Sequence, residues 1–207
     1  MLYKKDVLAI IVGLVMFFVI ILLILIYRYT FDKNKQIGYY VVTKYSNSRD
    51  AAKILHNLNV FSITLLDKMK HKYKNNSISM EIINNLTNKY NPDHFEENDP
   101  VYTIGHKTFT LNFQRIAICL RKKNGQFYDL NTLQFVMMHE LSHIATLEKE
   151  HNDYFWLIFK YILTCAQNLM GYNPVDYSHS PINYCGINVS YNPYYAHYDI
   201  DKYLLTY

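Results

Sequence analysis

Two histidines and a glutamate stand close together in the stretch His139-Glu140-Leu141-Ser142-His143. On a helix, side chains four residues apart leave from one face about 6 Å apart, so His139 and His143 can share one Zn²⁺ ion. Glu140 follows the first histidine directly, so its carboxylate can reach a water molecule at the same ion. A metal ion lowers the pKa of such a water, and a carboxylate can take its proton and pass it to a leaving amine. The spacing therefore predicts a zinc-dependent hydrolytic site with Glu140 as the general base.

A catalytic zinc ion usually has three protein ligands, so a further side chain is needed. A residue eight positions beyond His143 would lie about 12 Å further along a continuous helix and could not reach the ion. The charged stretch 146–150 has no apolar periodicity and predicts a turn, after which His151 arrives just before the next helix. His151 is therefore the predicted third ligand. The alternatives are Glu148, Glu150, Asp153, His179 and His197.

Other residues are candidates for supporting roles. Tyr184 and His179 could stabilise an oxyanion, and Asp153 could cap the following helix or support a ligand. Cys185 has no second cysteine at zinc spacing, so it is interpreted as structural rather than as a ligand or nucleophile. A strand before the motif would offer an edge for an extended peptide substrate. The histidines interpreted as surface or core residues are His56, His71, His94 and His106.

The predicted elements around the motif are helices and a small sheet. Asn131, with Gln134 three residues on, matches a capping box at the start of the motif's helix. A second helix is predicted over 152–170, closed by Gly171. β-branched and aromatic residues over 101–128, with the turn Asn124-Gly125, predict a small antiparallel sheet.

Two more helices and a strand are predicted nearer the N-terminus. Apolar periodicity predicts helices over 50–73, capped by Asp50, and over 77–89. A strand is predicted over 37–45. The fold class is therefore α+β, with one domain over 49–207.

The N-terminal part has a different character. After a short flank at 1–6, residues 7–27 carry no charge and no proline, and as a helix they would measure roughly 30 Å, which is the thickness of a bilayer core. A single-pass transmembrane helix is predicted there, followed by a stalk over 28–48. A cleaved signal peptide is disfavoured by the length of the run. The flanking lysines and arginine slightly favour a cytoplasmic body.

Composition excludes several classes of protein. A net charge of +4 without a basic stripe argues against a nucleic-acid partner, and 16% aromatic residues argue against disorder. Three cysteines suit free thiols in a reducing compartment, although one disulfide with one thiol is possible. N-glycosylation sequons begin at Asn75, Asn85 and Asn188, and they matter only if the body is lumenal.

The run MHELSH-IATLEKEH-NDYFWLIF resembles zincin metallopeptidases of the WLM and SprT-like type. Residues 139–143 match their HExxH motif, His151 takes the place of their third ligand, and Phe155-Trp156 matches the aromatic pair of the next helix. The loop before His151 is longer than the usual WLM spacing and shorter than the usual SprT spacing. The resemblance implies a zincin-like domain that holds one Zn²⁺ ion.

A longer resemblance covers residues 101–198. Their YTI start, CLR strand, HExLxH helix and YCG–NPY tail are similar to those of membrane-anchored metallopeptidases of large DNA viruses. Gly105-His106 stands where Asn-Lys is expected. The resemblance implies a single-pass protein of a host-cell or virion membrane. Cellular relatives cleave DNA-crosslinked proteins, but the predicted anchor and the near-neutral body argue against that role.

The predicted function is that of a membrane-anchored zinc metallopeptidase acting on a protein or peptide. The alternative is a membrane or virion structural protein that keeps a zincin fold for assembly or partner binding. A third hypothesis is a zinc hydrolase with another kind of substrate. Glu140 beside both histidines favours an enzyme, because a purely structural zinc site has no use for that carboxylate.

Overall fold

A computed structural model describes residues 4–31, 34–37, 40–98, 108–111 and 115–200. Within these ranges only the backbone is described at 4–9, 25–31, 34–37, 109 and 111. These residues form five α-helices, seven short strands and one 3-10 turn at Pro193–Tyr195. The helices are α1 (Lys4–Phe31), α2 (Ser48–Lys72), α3 (Ser77–Lys89), α4 (Leu130–Thr146) and α5 (Asp153–Met170). The strands are β1 (Asn34–Ile37), β2 (Tyr40–Thr43), β3 (Phe95–Glu97), β4 (Phe109–Leu111), β5 (Arg115–Ile118), β6 (Ile182–Tyr184) and β7 (Ile187–Val189).

The N-terminal helix α1 carries exposed side chains over residues 10–24. Among the side chains that the structure describes, no helix is long and apolar enough to cross a membrane. The span predicted over 7–27 extends past this stretch at both ends, onto side chains outside the described residues. The membrane anchor stays a prediction.

The main sheet has five strands in the order β1-β2-β3-β5-β4. The outer pairs β1–β2 and β4–β5 are antiparallel, whereas β2–β3 and β3–β5 are parallel. The antiparallel sheet predicted over 101–128 is confirmed for β4 and β5. The parallel pairs add β2 and β3, which lie outside that range, and α2 and α3 form the long crossover that joins β2 to its parallel neighbour β3. β6 and β7 form a separate antiparallel hairpin.

The strand predicted over 37–45 is confirmed by β2. β1 and β2 both lie within 28–48, the range predicted to be a stalk. A stalk would be exposed, but Tyr40 and Val42 on β2 are buried in the core. Burial of these side chains stabilises the sheet, so the domain includes this strand.

The helices pack together on the sheet and carry most of the core. α4 contacts α2, α3, α5 and the strands β4 and β5. The predicted bounds of α3 are confirmed, and so is α5 with Gly171 in the left-handed conformation at its end (φ 70°). Two predicted caps are wrong. α2 begins at Ser48 after Asn47, rather than at Asp50, and α4 is capped by Asp129 rather than by Asn131. The Asp129 carboxylate accepts a hydrogen bond from the free amide of Thr132 in the first turn, so the helix starts two residues sooner.

A disulfide joins the sheet to the β6–β7 hairpin. Cys119, directly after β5, is bonded to Cys185 in the hairpin turn, and Cys165 is a buried free thiol. The expectation of free thiols only is therefore wrong, and the alternative of one disulfide with one thiol is confirmed. The bond fixes the hairpin against the end of β5, where it forms one wall of the cleft described below.

Candidate metal centre

The ring nitrogens of three histidines converge at one point, which defines the three-histidine cluster of His139, His143 and His151. The Nε2 atoms of His139 and His143 lie 3.3 Å apart, and the Nε2 atom of His151 lies 3.1 Å from the first and 3.2 Å from the second. Two nitrogen ligands of a tetrahedral zinc ion are about 3.3–3.4 Å apart when each Zn–N bond is 2.0–2.1 Å. The cluster therefore fits one zinc ion in spacing and in the chemistry of its donors.

Local structure explains why the cluster forms. One turn of α4 places His139 and His143 on the same face. The helix ends at Leu147, which adopts the left-handed conformation (φ 57°) and turns the chain back. The next helix begins when the Asn152 side chain accepts a hydrogen bond from the Phe155 amide at 2.9 Å. His151 lies in the short loop between Leu147 and Asn152, where the chain reverses direction, and this loop brings it to the other two histidines.

Neighbouring groups orient the imidazoles. Nδ1 of His143 lies 2.8 Å from the backbone carbonyl oxygen of Glu148. A carbonyl oxygen only accepts hydrogen bonds, so Nδ1 carries the proton and the Nε2 lone pair faces the cluster. The Phe155 ring packs against all three histidines, with centroid distances of 5.0, 4.4 and 4.6 Å to His139, His143 and His151.

The electrostatics keep the histidines uncharged. Burial, with the neighbouring His143 and His151, holds the pKa of His139 well below its usual range. Burial also lowers the pKa of His143 and of His151. Neutral imidazole is the form that binds a metal ion, so the site is ready to accept one near neutral pH.

Glu140 is buried beside the cluster and held by the edge strand of the sheet. The Thr110 hydroxyl on β4 donates a hydrogen bond of 2.6 Å to Oε2 of Glu140. Burial raises the pKa of this carboxyl group to about 7, although the hydrogen bond from Thr110 opposes the shift. A nearby dication would favour the charged carboxylate.

A cleft of about 280 Å³ opens beside His139, Glu140 and His151. Its walls come from α4, from α5 and from the β6–β7 hairpin with the residues that follow it. Large apolar and aromatic side chains dominate these walls: Phe135, Val136, Trp156, Phe159, Val189 and Tyr191. The residues around the cleft in the described chain include no lysine or arginine, and Glu140 is their only carboxylate.

Several predicted supporting residues make other contacts. Tyr184 borders the cleft, but its buried hydroxyl donates to the Cys119 carbonyl and lies 2.9 Å from the Thr108 hydroxyl. His179 is exposed and pairs with Asp176, 2.7 Å away. The acidic and histidine alternatives for the third ligand that the structure describes are not in the cluster. Asn152, rather than Asp153, caps α5.

The remaining histidines take no part in the described cluster. His56, His71 and His94 are not members of it. His106 and Gly105 lie outside the described residues. The interpretation of Cys185 as structural agrees with its disulfide bond.

Sequence patterns did not identify three features of the site. They are the hydrogen bond from Thr110, the orienting carbonyl of Glu148 and the apolar cleft. Thr110 lies 30 positions before Glu140, so only the folded sheet brings them together. The loop after α4 was predicted from its charge, but its left-handed residue Leu147 has no signal in the sequence, since glycine or asparagine is usual there. Trp156, from the aromatic pair Phe155-Trp156, lines the cleft, so that pair carried some signal for it.

Comparison with known proteins identifies viral relatives. The chain is 31% identical over 152 residues to "Uncharacterized protein R325" of Acanthamoeba polyphaga mimivirus, covering 72% of this chain and 75% of the relative. It is 41% identical over 68 residues to "Uncharacterized protein 136R" of Invertebrate iridescent virus 6, covering 31% of this chain and 38% of the relative. It is 34% identical over 84 residues to "Uncharacterized protein 042R" of Invertebrate iridescent virus 3, covering 39% of this chain and 50% of the relative.

No family model matches the chain. No solved structure matches it either. The mimivirus match extends over most of both proteins, and the two other relatives also come from large DNA viruses. The chain therefore belongs to the same protein family as R325 of Acanthamoeba polyphaga mimivirus.

Proposed function

We propose that this protein is a zinc-dependent metallopeptidase of a large DNA virus, with a zincin-like site and an N-terminal membrane anchor over 7–27. The observation that carries the proposal is the triangle of Nε2 atoms, with sides of 3.1–3.3 Å, directly beside the buried Glu140. The viral relatives support the setting, and the resemblance to WLM and SprT-like zincins supports the reaction class.

His139, His143 and His151 are the residues that would hold the ion. A bound zinc ion would act as a Lewis acid, which polarises a carbonyl group and lowers the pKa of a water molecule. Three protein ligands would leave one position open on a bound ion, as in catalytic rather than structural zinc sites.

Glu140 is the proposed general base. Thr110 occupies Oε2, and the described contacts place no donor on Oε1. Glu140 takes the proton of the attacking water and gives it to the leaving amine nitrogen as the peptide bond breaks. Burial of the carboxylate excludes bulk water from this transfer.

The edge strand β4 is the proposed platform for the substrate. It pairs with β5 on one side and lies at the end of the sheet order. An extended peptide can add to such an edge through backbone hydrogen bonds. Since Thr110 on β4 touches Glu140, a peptide on this edge would pass close to the general base.

A substitution at Glu140 separates the enzyme from the structural alternative. The full-length chain would be incubated with an unfolded protein substrate, and the products identified by mass spectrometry. We expect Glu140→Gln to reduce cleavage by about 10²–10⁴-fold while the bound zinc is retained. The exposed Glu81 on α3 provides the matched control Glu81→Gln, which should cleave normally. Equal cleavage by the Glu140→Gln variant would refute the role of this residue.

A further inference from the structure

We propose that the cleft is a specificity subsite for one bulky apolar side chain of the substrate, on a residue that flanks the cleaved bond. The inference rests on the proposed function and adds the class of substrate. It follows from where the cleft lies, what surrounds it and how large it is.

The cleft is continuous with the reacting groups. Trp156 contacts His151, with ring centroids 5.4 Å apart, and Phe159 contacts His139 at 5.3 Å. Glu140 borders the same space. A side chain in the cleft therefore belongs to a residue next to the bond at which Glu140 acts, rather than to a distant part of the substrate.

The chemistry of the walls selects against charge. Two helices and the hairpin contribute apolar surfaces, with Val136 from α4, Trp156 from α5 and Val189 from β7. Any charged side chain would lose its hydration there: an acidic one would find no lysine or arginine among the surrounding residues, and a basic one would find only the Glu140 carboxylate, which already accepts a hydrogen bond from Thr110. Burying a large apolar side chain instead improves binding by about 10- to 150-fold.

The size of the cleft limits its occupant. About 280 Å³ is just below the usual range for small-ligand pockets, roughly 300–1,000 Å³. That volume suits one large side chain with part of its backbone rather than a folded partner. Phenylalanine, leucine and similar side chains meet both the size and the chemistry.

The hairpin wall is held in place by covalent and aromatic contacts. Cys185, bonded to Cys119, fixes the turn between β6 and β7. Tyr191, beyond β7, packs edge-on against Trp156 with centroids 5.1 Å apart. A wall fixed in this way can discriminate between side chains by shape as well as by polarity.

Trp156 makes a direct binding test possible, because it is the one tryptophan of the chain and it lines the cleft. Short blocked peptides carrying Phe, Leu, Asp or Lys would be titrated into the Glu140→Gln variant, which should bind without cleaving. Tryptophan fluorescence then reports occupancy independently of activity. We expect the Phe and Leu peptides to saturate at concentrations at least about 10-fold lower than the Asp and Lys peptides. Equal binding, or tighter binding of charged peptides, would overturn the inference.

Two valine variants test whether the preference for apolar side chains arises in this cleft. Val189→Asp places a carboxylate in the wall and should abolish the preference for Phe over Lys. Val60 on α2 is exposed and does not border the cleft, so Val60→Asp should retain the preference. Circular dichroism and bound zinc would show that each variant is folded. A folded Val189→Asp variant with an unchanged preference counts against this cleft as the subsite.

Cleavage distinguishes the subsite from the proposed function. A peptide library cut by the wild-type chain should show apolar residues enriched at one of the two positions flanking the cleaved bond. Binding preference without any cleavage would leave the subsite standing and count against the peptidase. Cleavage with no preference at either position would leave the peptidase standing and count against the subsite.

Discussion

Thr110 donates a hydrogen bond of 2.6 Å to Oε2 of Glu140, which ties the edge strand β4 to the helix that carries two histidines of the cluster. The bond holds one carboxylate oxygen in place and fixes the direction of the other. It also makes the position of the general base depend on the position of the strand proposed to hold the substrate.

Removal of this hydrogen bond should impair catalysis without removing the metal. We expect Thr110→Val to lower kcat/KM by about 10- to 100-fold, as substitutions of supporting residues at metal sites typically do. Thr110→Ser keeps the hydroxyl and should restore most of the activity. Bound zinc should be equal in all three proteins. A Thr110→Val variant as active as the wild type would show that Glu140 needs no support from β4.

The disulfide should contribute strongly to stability. Cys119 and Cys185 are 66 positions apart, and a crosslink of this kind typically adds about 2–5 kcal/mol to the free energy of unfolding. We expect the double variant Cys119→Ser/Cys185→Ser to unfold at lower denaturant concentration. Reductant should destabilise the wild type but leave the double variant unchanged. An unchanged wild-type midpoint under full reduction would argue that the hairpin is held by packing alone.

The Asp129 cap of α4 should give a pH-dependent contribution to stability. Burial alone would raise the pKa of Asp129, but hydrogen bonds from the Thr132 hydroxyl and amide outweigh it and lower the pKa. A depressed folded-state pKa means that the contribution is present above the unfolded value of about 3.9 and is lost as the pH falls through the folded value. We expect Asp129→Ala to cost about 0.5–2 kcal/mol at pH 7 and less in acid.

Asp129→Asn serves as the control for that experiment. Its amide oxygen can still accept the Thr132 amide at the helix start, so it should recover part of the stability, without the pH dependence. Urea denaturation of the wild type and both variants from pH 7 to pH 3 measures the differences. If the difference in free energy of unfolding between wild type and Asp129→Ala grew as the pH fell, it would contradict the assigned direction of the pKa shift.

Local patterns predicted the parts of this protein that depend on neighbours in the chain. The HExxH spacing, the bounds of α3 and the Gly171 end of α5 all follow from interactions within a few residues. His151 was predictable for the same reason, because it follows His143 closely in the chain and a short loop allows its side chain few positions. The Asn131 cap is wrong because Asp129 accepts the Thr132 amide and starts the helix two residues earlier, which leaves Asn131 inside α4.

Features that depend on distant parts of the chain were not predictable in this way. The parallel pairing of β2 with β3 depends on how α2 and α3, the crossover between these two strands, pack. The pairing of Cys119 with Cys185, chosen from three cysteines, likewise depends on the hairpin reaching the end of β5. The apolar cleft needs three separate elements, so no single stretch of sequence carries its pattern.

Bound zinc is the most direct test of the proposed metal centre. The full-length chain, purified without chelator, would be measured by inductively coupled plasma mass spectrometry beside His151→Ala and the control His179→Ala, whose histidine is exposed and outside the cluster. We expect about one zinc per chain in the wild type and the control, and loss of the zinc in His151→Ala. No zinc in the wild type, or equal zinc in all three proteins, would contradict this expectation.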